Sequence, residues 1–218
     1  MLQKIWITGF FALINLTFLF AGQEQISSLQ EIAEELTSCD ENSLIIFDVD
    51  EVLITTKDHF GHPYAGKVFS ALMHEEMKKC ISLEERAALE NIWSLSTLQP
   101  KRILIEEDAP KLIEELQRQG IKVIALTCCG TGSFGIIPKL ERWRIEHLND
   151  LNISFSGSFP NLKRHSLRDI KKSKRAAPLF EEGVLFSEGY DKGDVLKAFL
   201  EYNDLHPSKV VFIPVTAT

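Results

Sequence analysis

The sequence predicts an α/β fold built on a parallel sheet, and three observations predict it. Short apolar runs of strand length recur at 44–47, 121–126, 184–186 and 209–213. Segments with apolar residues at helical spacing lie between them. Parallel strands need crossovers of a dozen or more residues, which these helices provide, so strand and helix alternate along the chain.

Composition agrees. The 218 residues are 25% charged and 44% apolar, as in an ordinary globular protein. A chain of this length buries roughly 70% of its unfolded surface, enough for a core without staples. The net charge of -7 argues against nonspecific nucleic-acid binding, which needs a basic face. Small anionic substrates stay open, because a local field can oppose the total.

Residues 1–22 stand apart. Lys4 precedes a nearly continuous apolar stretch, 5–20, and small Ala21 and Gly22 lead into polar Gln23, Glu24 and Gln25. This order describes a secretory signal peptide cleaved near Ala21 or Gly22, leaving a periplasmic or secreted domain of 23–218. An uncleaved anchor is the alternative, the stretch being slightly short for a span. The sequence holds no second long apolar run, so no stable membrane embedding is expected after cleavage. Cys39, Cys80, Cys128 and Cys129 are even in number, but adjacent Cys128 and Cys129 lack the Cα separation of an unstrained disulfide, and buried free thiols beside the active-site strand are expected.

The elements follow in order. Residues 25–39 put Ile26, Leu29, Ile32, Ala33 and Leu36 at helical spacing, with Ser27 and Ser28 as caps. The run 44–47 is a buried strand, and a polar loop containing Gly and Pro spans 55–66. Residues 68–79 and 83–95 read as helices, the second opened by a Ser82/Glu85 capping box, and Pro100 ends the pair. About 55–104 is therefore a small helical cap insert able to act as a lid. Asp108 caps the next helix, with Pro110 in its first turn and Gly120 as its stop. The strand 121–126 leads to Thr127 and a small-residue turn, Cys128 to Gly132, suited to an anion. Further helices are expected at 139–148 and 194–202, short strands at 153–155 and 184–186, a basic loop or exposed helix at 163–175, and a last strand at 209–213. Trp93 and Trp143 are expected in the core.

The chemistry is expected where the first strand ends in Asp48-Val49-Asp50. Parallel sheets place reactive groups beyond the carboxyl ends of their strands. One Asp carboxylate can attack phosphorus while another, two residues on, moves a proton or helps hold a cation. His59 and His62 sit in the following loop, where solvation or capping is favoured over substrate contact.

Phe47-Asp48-Val49-Asp50-Glu51-Val52-Leu53, then Leu126-Thr127, then Lys192 within Gly189-Tyr190-Asp191-Lys192-Gly193 resemble, in order, the first three motifs of the haloacid dehalogenase superfamily. The likeness covers about 44–213 and is closest to secreted bacterial members of unassigned function. It implies a three-layer Rossmann-like core with a small helical cap. It also implies a Mg²⁺-dependent phosphatase acting on a small phosphorylated substrate, with Asp48 as nucleophile and Asp50 as general acid and base. Thr127 and Lys192 would hold the phosphate, with Cys128 beside them, and Asp48 and Asp50 would hold the metal.

The sequence departs from that pattern at its end. Family members place acidic metal ligands after the last core strand, but here Pro214 and Val215 follow Ile213. A weakened metal site and a truncated frame are therefore expected. The alternative function is a catalytically impaired relative that binds a ligand or partner without turnover. Asp191 and Asp194 flank Lys192, where capping by Asp194 or simple solvation outweighs an outer-sphere metal role.

Overall fold

The computed structural model describes residues 2–8, 20–57, 63–168, 170 and 176–215. His59, His62, and residues 169 and 171–175 of the basic stretch lie outside them. The strands are β1 (Leu2–Thr8), β2 (Phe20–Ile26), β3 (Ser43–Phe47), β4 (Ile54–Thr56), β5 (Arg102–Leu104), β6 (Lys122–Thr127), β7 (Arg164–Ser166), β8 (Leu179–Glu181), β9 (Val184–Phe186) and β10 (Lys209–Ile213). The α-helices are α1 (Ala33–Thr37), α2 (Pro63–Lys79), α3 (Leu83–Leu98), α4 (Ala109–Arg118), α5 (Leu140–Asp150) and α6 (Lys192–Tyr202).

Eight strands form one sheet in the order β2-β1-β10-β3-β6-β9-β8-β7. Its centre, β10-β3-β6-β9, is parallel, and antiparallel pairs flank it on both sides. The fold is α/β with a mostly parallel central sheet, as the strand and helix alternation predicts.

Side-chain alternation on the strands creates two cores. Ile45, Phe47, Val123, Ala125, Val211 and Ile213 point to one face, where they meet Leu36, Ile113, Leu116, Ile145 and Leu148 from α1, α4 and α5. Leu44, Ile46, Ile124, Leu126 and Leu185 point to the other, against Val195 and Phe199 of α6. Helices therefore cover both faces of the sheet, the three layers of a Rossmann-like core. Each such fully buried side chain contributes about 1.5–3 kcal/mol.

Several expectations give way. Residues 25–39 are not one helix: β2 runs to Ile26, and a 3-10 turn at Leu29–Ile32 precedes the single turn of α1. The apolar spacing there marks burial against the sheet rather than a continuous helix. Residues 153–155 form no strand; Ile153 and Phe155 are buried from a loop that packs on the first core. Part of the basic segment 163–175 is the strand β7. Trp93 and Trp143 are half-buried, stacked edge-on against His74 and His147 respectively. Residues 2–8 and 20–26 form β1 and β2 at one edge of the sheet.

Between β3 and β4 the chain makes a tight loop in which the Val49 carbonyl accepts from the N–H groups of Leu53 and Ile54 at 3.0 and 3.1 Å. The antiparallel pair β4-β5 brackets the α2–α3 hairpin. Ser82 and Glu85 close both halves of the capping box at the start of α3. Gly135, at φ +52, lets the segment after β6 lie against α3, with the Ile136 N–H donating to Ser94 Oγ at 3.0 Å. Among the described residues, no helix is long and apolar enough to cross a membrane.

Candidate active site

Asp48 continues β3 by one residue. Its N–H donates to the Ile213 carbonyl at 3.0 Å, so β10 still fixes it. The side chain is buried; Oδ1 accepts the Val49 N–H at 2.8 Å, and Oδ2 lies 2.6 Å from Lys192 Nζ. Lys192 opens α6 after β9. Asp191 starts that helix, its Oδ1 accepting the N–H groups of Gly193 and Asp194 at 2.8 and 3.1 Å. The cap is therefore Asp191, and Asp194 occupies the first turn.

Thr127 ends β6, the strand beside β3, and is buried. Its Oγ1 accepts the Cys129 N–H at 3.1 Å, which leaves the hydroxyl proton able to donate. Its carbonyl accepts the Ser187 N–H at 2.8 Å, tying β6 to the chain leaving β9. Asp48 and Lys192 thus touch, while Thr127 stands on the neighbouring strand end.

Asp50 lies two residues beyond Asp48 with its side chain 43% exposed. It lines a cleft of about 840 Å³ together with Cys128, Arg144 and, from α2, Lys67, Ser70 and His74. Cys128 is exposed there. All four cysteines are free, and burial pushes the Cys129 thiol up, away from reactivity.

The turn after Thr127 does attract anions, but the chain supplies them. The Thr131 N–H donates to Glu188, and the Gly132 N–H to Glu141 Oε2 at 2.7 Å. Glu141 is itself buried and pairs with Arg164, which also pairs with Glu181.

The sequence reading missed the cations around Asp50. Arg144, only 5% exposed, approaches it through Nη1 to Oδ1 at 3.1 Å and Nη2 to Oδ2 at 3.2 Å. Arg102 Nη1 stands 3.9 Å from Oδ1. Burial opposes the charge on Arg144 more than any single neighbour favours it, but Asp50 and Cys129 together outweigh burial and hold the guanidinium as a cation. One turn along α5, burial and then the charges of Arg144 and Arg102 lower His147 to about 4. A signal for Arg144 was present: Glu141, Arg144, Ile145 and Leu148 fall on the inward stripe of one helix, where an unpaired charge would not be tolerated.

A divalent cation does not find its donor set here. Asp48's carboxylate is shared between Val49 and Lys192, Asp50's is forked by Arg144, and Pro214 and Val215 follow β10. Among the described residues, no group of three or more His, Cys, Asp or Glu side chains is arranged to hold a metal ion. The chemistry this site offers by itself is a buried carboxylate beside an ammonium, with a second carboxylate and a buried guanidinium at the cleft.

Comparison with known proteins gives a family. The profile of a family described as "Protein of unknown function (DUF2608)" matches residues 25–217. A protein of Rickettsia bellii named "Uncharacterized protein" is 24% identical over 171 residues, 78% of this chain and 58% of its own length. A Rickettsia felis relative is 26% identical over the same shares. A Chlamydia pneumoniae relative, whose name begins "Putative outer membrane protein", is 25% identical over 87% of this chain and 66% of its own length. The chain thus spans about 58% of the length of the first two relatives. No solved structure matches the chain.

Proposed function

The chain belongs to the DUF2608 family, and from its site we propose that it hydrolyses small phosphomonoesters through an aspartyl phosphate on Asp48. The observation that carries this reading is the 2.6 Å contact between Lys192 Nζ and Asp48 Oδ2 at the carboxyl end of a parallel sheet. The ordered likeness to haloacid dehalogenase motifs and the three-layer fold support it.

A phosphoryl group entering beside Asp48 meets the Lys192 ammonium and the Thr127 hydroxyl, which spread its negative charge. An Asp48 carboxylate oxygen forms a bond to phosphorus as the bond to the ester oxygen breaks, and protonated Asp50 gives its proton to the departing alkoxide. Water then attacks phosphorus and yields a proton to Asp50, and the acyl phosphate bond breaks. Alcohol and inorganic phosphate leave, and Asp48 is regenerated. No step is assigned to a metal, because the donor set does not fit one.

The α2 face of the cleft, with Lys67 and His74, would select the substrate. We also propose that the protein acts outside the cytoplasm, on the leader-like character of 1–22 and the name of the chlamydial relative. A second reading, binding without turnover, is favoured by one observation: Arg144 forks the Asp50 carboxylate that has to carry the proton. Hydrolysis of p-nitrophenyl phosphate by the purified chain, beside Asp48→Asn, separates the two. Turnover lost in the variant supports hydrolysis; equal background from both proteins rejects it.

A further inference from the structure

We propose that the phosphoryl group is taken without a divalent cation, Arg144 supplying the countercharge that a metal would supply. This rests on the reading of the site as one for phosphoryl groups. The guanidinium sits within ion-pair distance of the carboxylate two residues beyond the nucleophile, on the wall of a cleft that Asp50 also lines. It is buried and remains cationic, so its field is screened far less than that of a surface charge.

A purely structural ion pair would satisfy its donors. Arg144 does so only in part: beyond the fork on Asp50 the weak acceptor beside it is the Cys129 thiol, and Nε and Nη1 have no well-formed hydrogen bond although Asp50 Oδ1 lies 3.1 Å from Nη1. Buried N–H groups without an acceptor beside a cleft mark a place where an anion completes the arrangement. A phosphoryl oxygen is the acceptor that a planar guanidinium fork fits, since it can hold Asp50 on one edge and the oxygen on another.

Charge points the same way. Lys67, Arg102, Arg144 and Lys192 stand against Asp48 and Asp50, while Glu188 takes the Thr131 N–H. A phosphate dianion therefore meets a surplus of cations that the chain provides itself. A metal would have to take carboxylate oxygens already held by Lys192 and Arg144.

The test is calorimetric titration of the purified full chain with inorganic phosphate, once in EDTA and once in Mg²⁺. The expected result is binding of equal strength in both, weakened about tenfold or more by Arg144→Gln and partly retained by Arg144→Lys. Circular dichroism melts report whether the variants fold, and the comparison of EDTA with Mg²⁺ on the unaltered chain needs no variant. Binding that appears only with Mg²⁺, binding unchanged in a folded Arg144→Gln, or no binding in either buffer overturns the proposal. Metal-free phosphate binding without ester hydrolysis would leave it standing while the hydrolase reading falls. Hydrolysis abolished by EDTA and restored by Mg²⁺ would do the reverse.

Discussion

Replacing Lys192 with Met keeps most of the side chain's length and removes its charge. In the native site Nζ lies 2.6 Å from Asp48 Oδ2, and the two side chains are 21% and 11% exposed. Breaking a buried pair by removing one partner costs about 3–5 kcal/mol, because the other charge is left without compensation. Here the Val49 N–H still supports Asp48 and some water reaches the lysine, which reduces the expected loss to about 2–3 kcal/mol. The helix start is not disturbed, since Asp191 caps α6 with its own side chain. Equilibrium urea unfolding followed by circular dichroism at pH 7 measures the loss. Adding Asp48→Asn to Lys192→Met removes the stranded charge, so the double variant should regain at least about 1 kcal/mol over the single one. If Lys192→Met unfolds within about 0.5 kcal/mol of the unaltered chain, or the double variant regains nothing, the contact is not the buried pair described.

Other outcomes follow from separate parts of the molecule. His147, lowered from 6.5 to about 4 by burial and then by Arg144 and Arg102, refuses a proton that the unfolded chain accepts. Its stabilisation is therefore complete above pH 6.5 and falls away toward pH 4. The loss is about 3 kcal/mol in full and roughly 1–2 kcal/mol at a partly exposed ring. Urea midpoints at pH 7 and 5 should converge in His147→Gln, and an unchanged slope would dismiss this origin. Ser82→Ala removes half of the capping box and should cost about 1 kcal/mol in thermal unfolding, with no effect on phosphate binding. Gly135→Ala would put a Cβ 2.4 Å from the Glu90 carbonyl oxygen of α3, at a φ of +52. It should loosen the helical hairpin from the core, seen as faster proteolysis within α2 and α3; unchanged cleavage would show that the contact does not hold the hairpin.

The parallel core was legible because its strands are buried on both faces and read as unbroken apolar runs, as in Leu44 to Phe47. The helices α3 and α4 are legible from their starts at Ser82 and Asp108, although Asp108 makes no side-chain cap, whereas α6 begins two residues before the expected Asp194 because Asp191 caps it instead. Asp48 and Lys192 could be paired in advance only through the motif order, since 144 residues separate them. The segment 25–39 misled because spacing reports which residues are buried, and an extended strand followed by a 3-10 turn can bury Ile26, Leu29 and Ile32 as well as a helix can. The anion at the glycine turn was anticipated, but its source was hidden: Glu141 and Glu188 reach it from α5 and from the loop before α6. The inward place of Arg144 on α5 could be read from the helical stripe, but its partner could not, because Asp50 lies 94 residues away.

The decisive measurement is direct capture of the covalent intermediate. Quenching a phosphomonoester reaction in acid and reducing with borohydride converts an aspartyl phosphate to homoserine, which peptide mass spectrometry can place. The account predicts homoserine at position 48 in the reacted chain and none without substrate. Turnover without modification at position 48, or modification at another carboxylate, would contradict it.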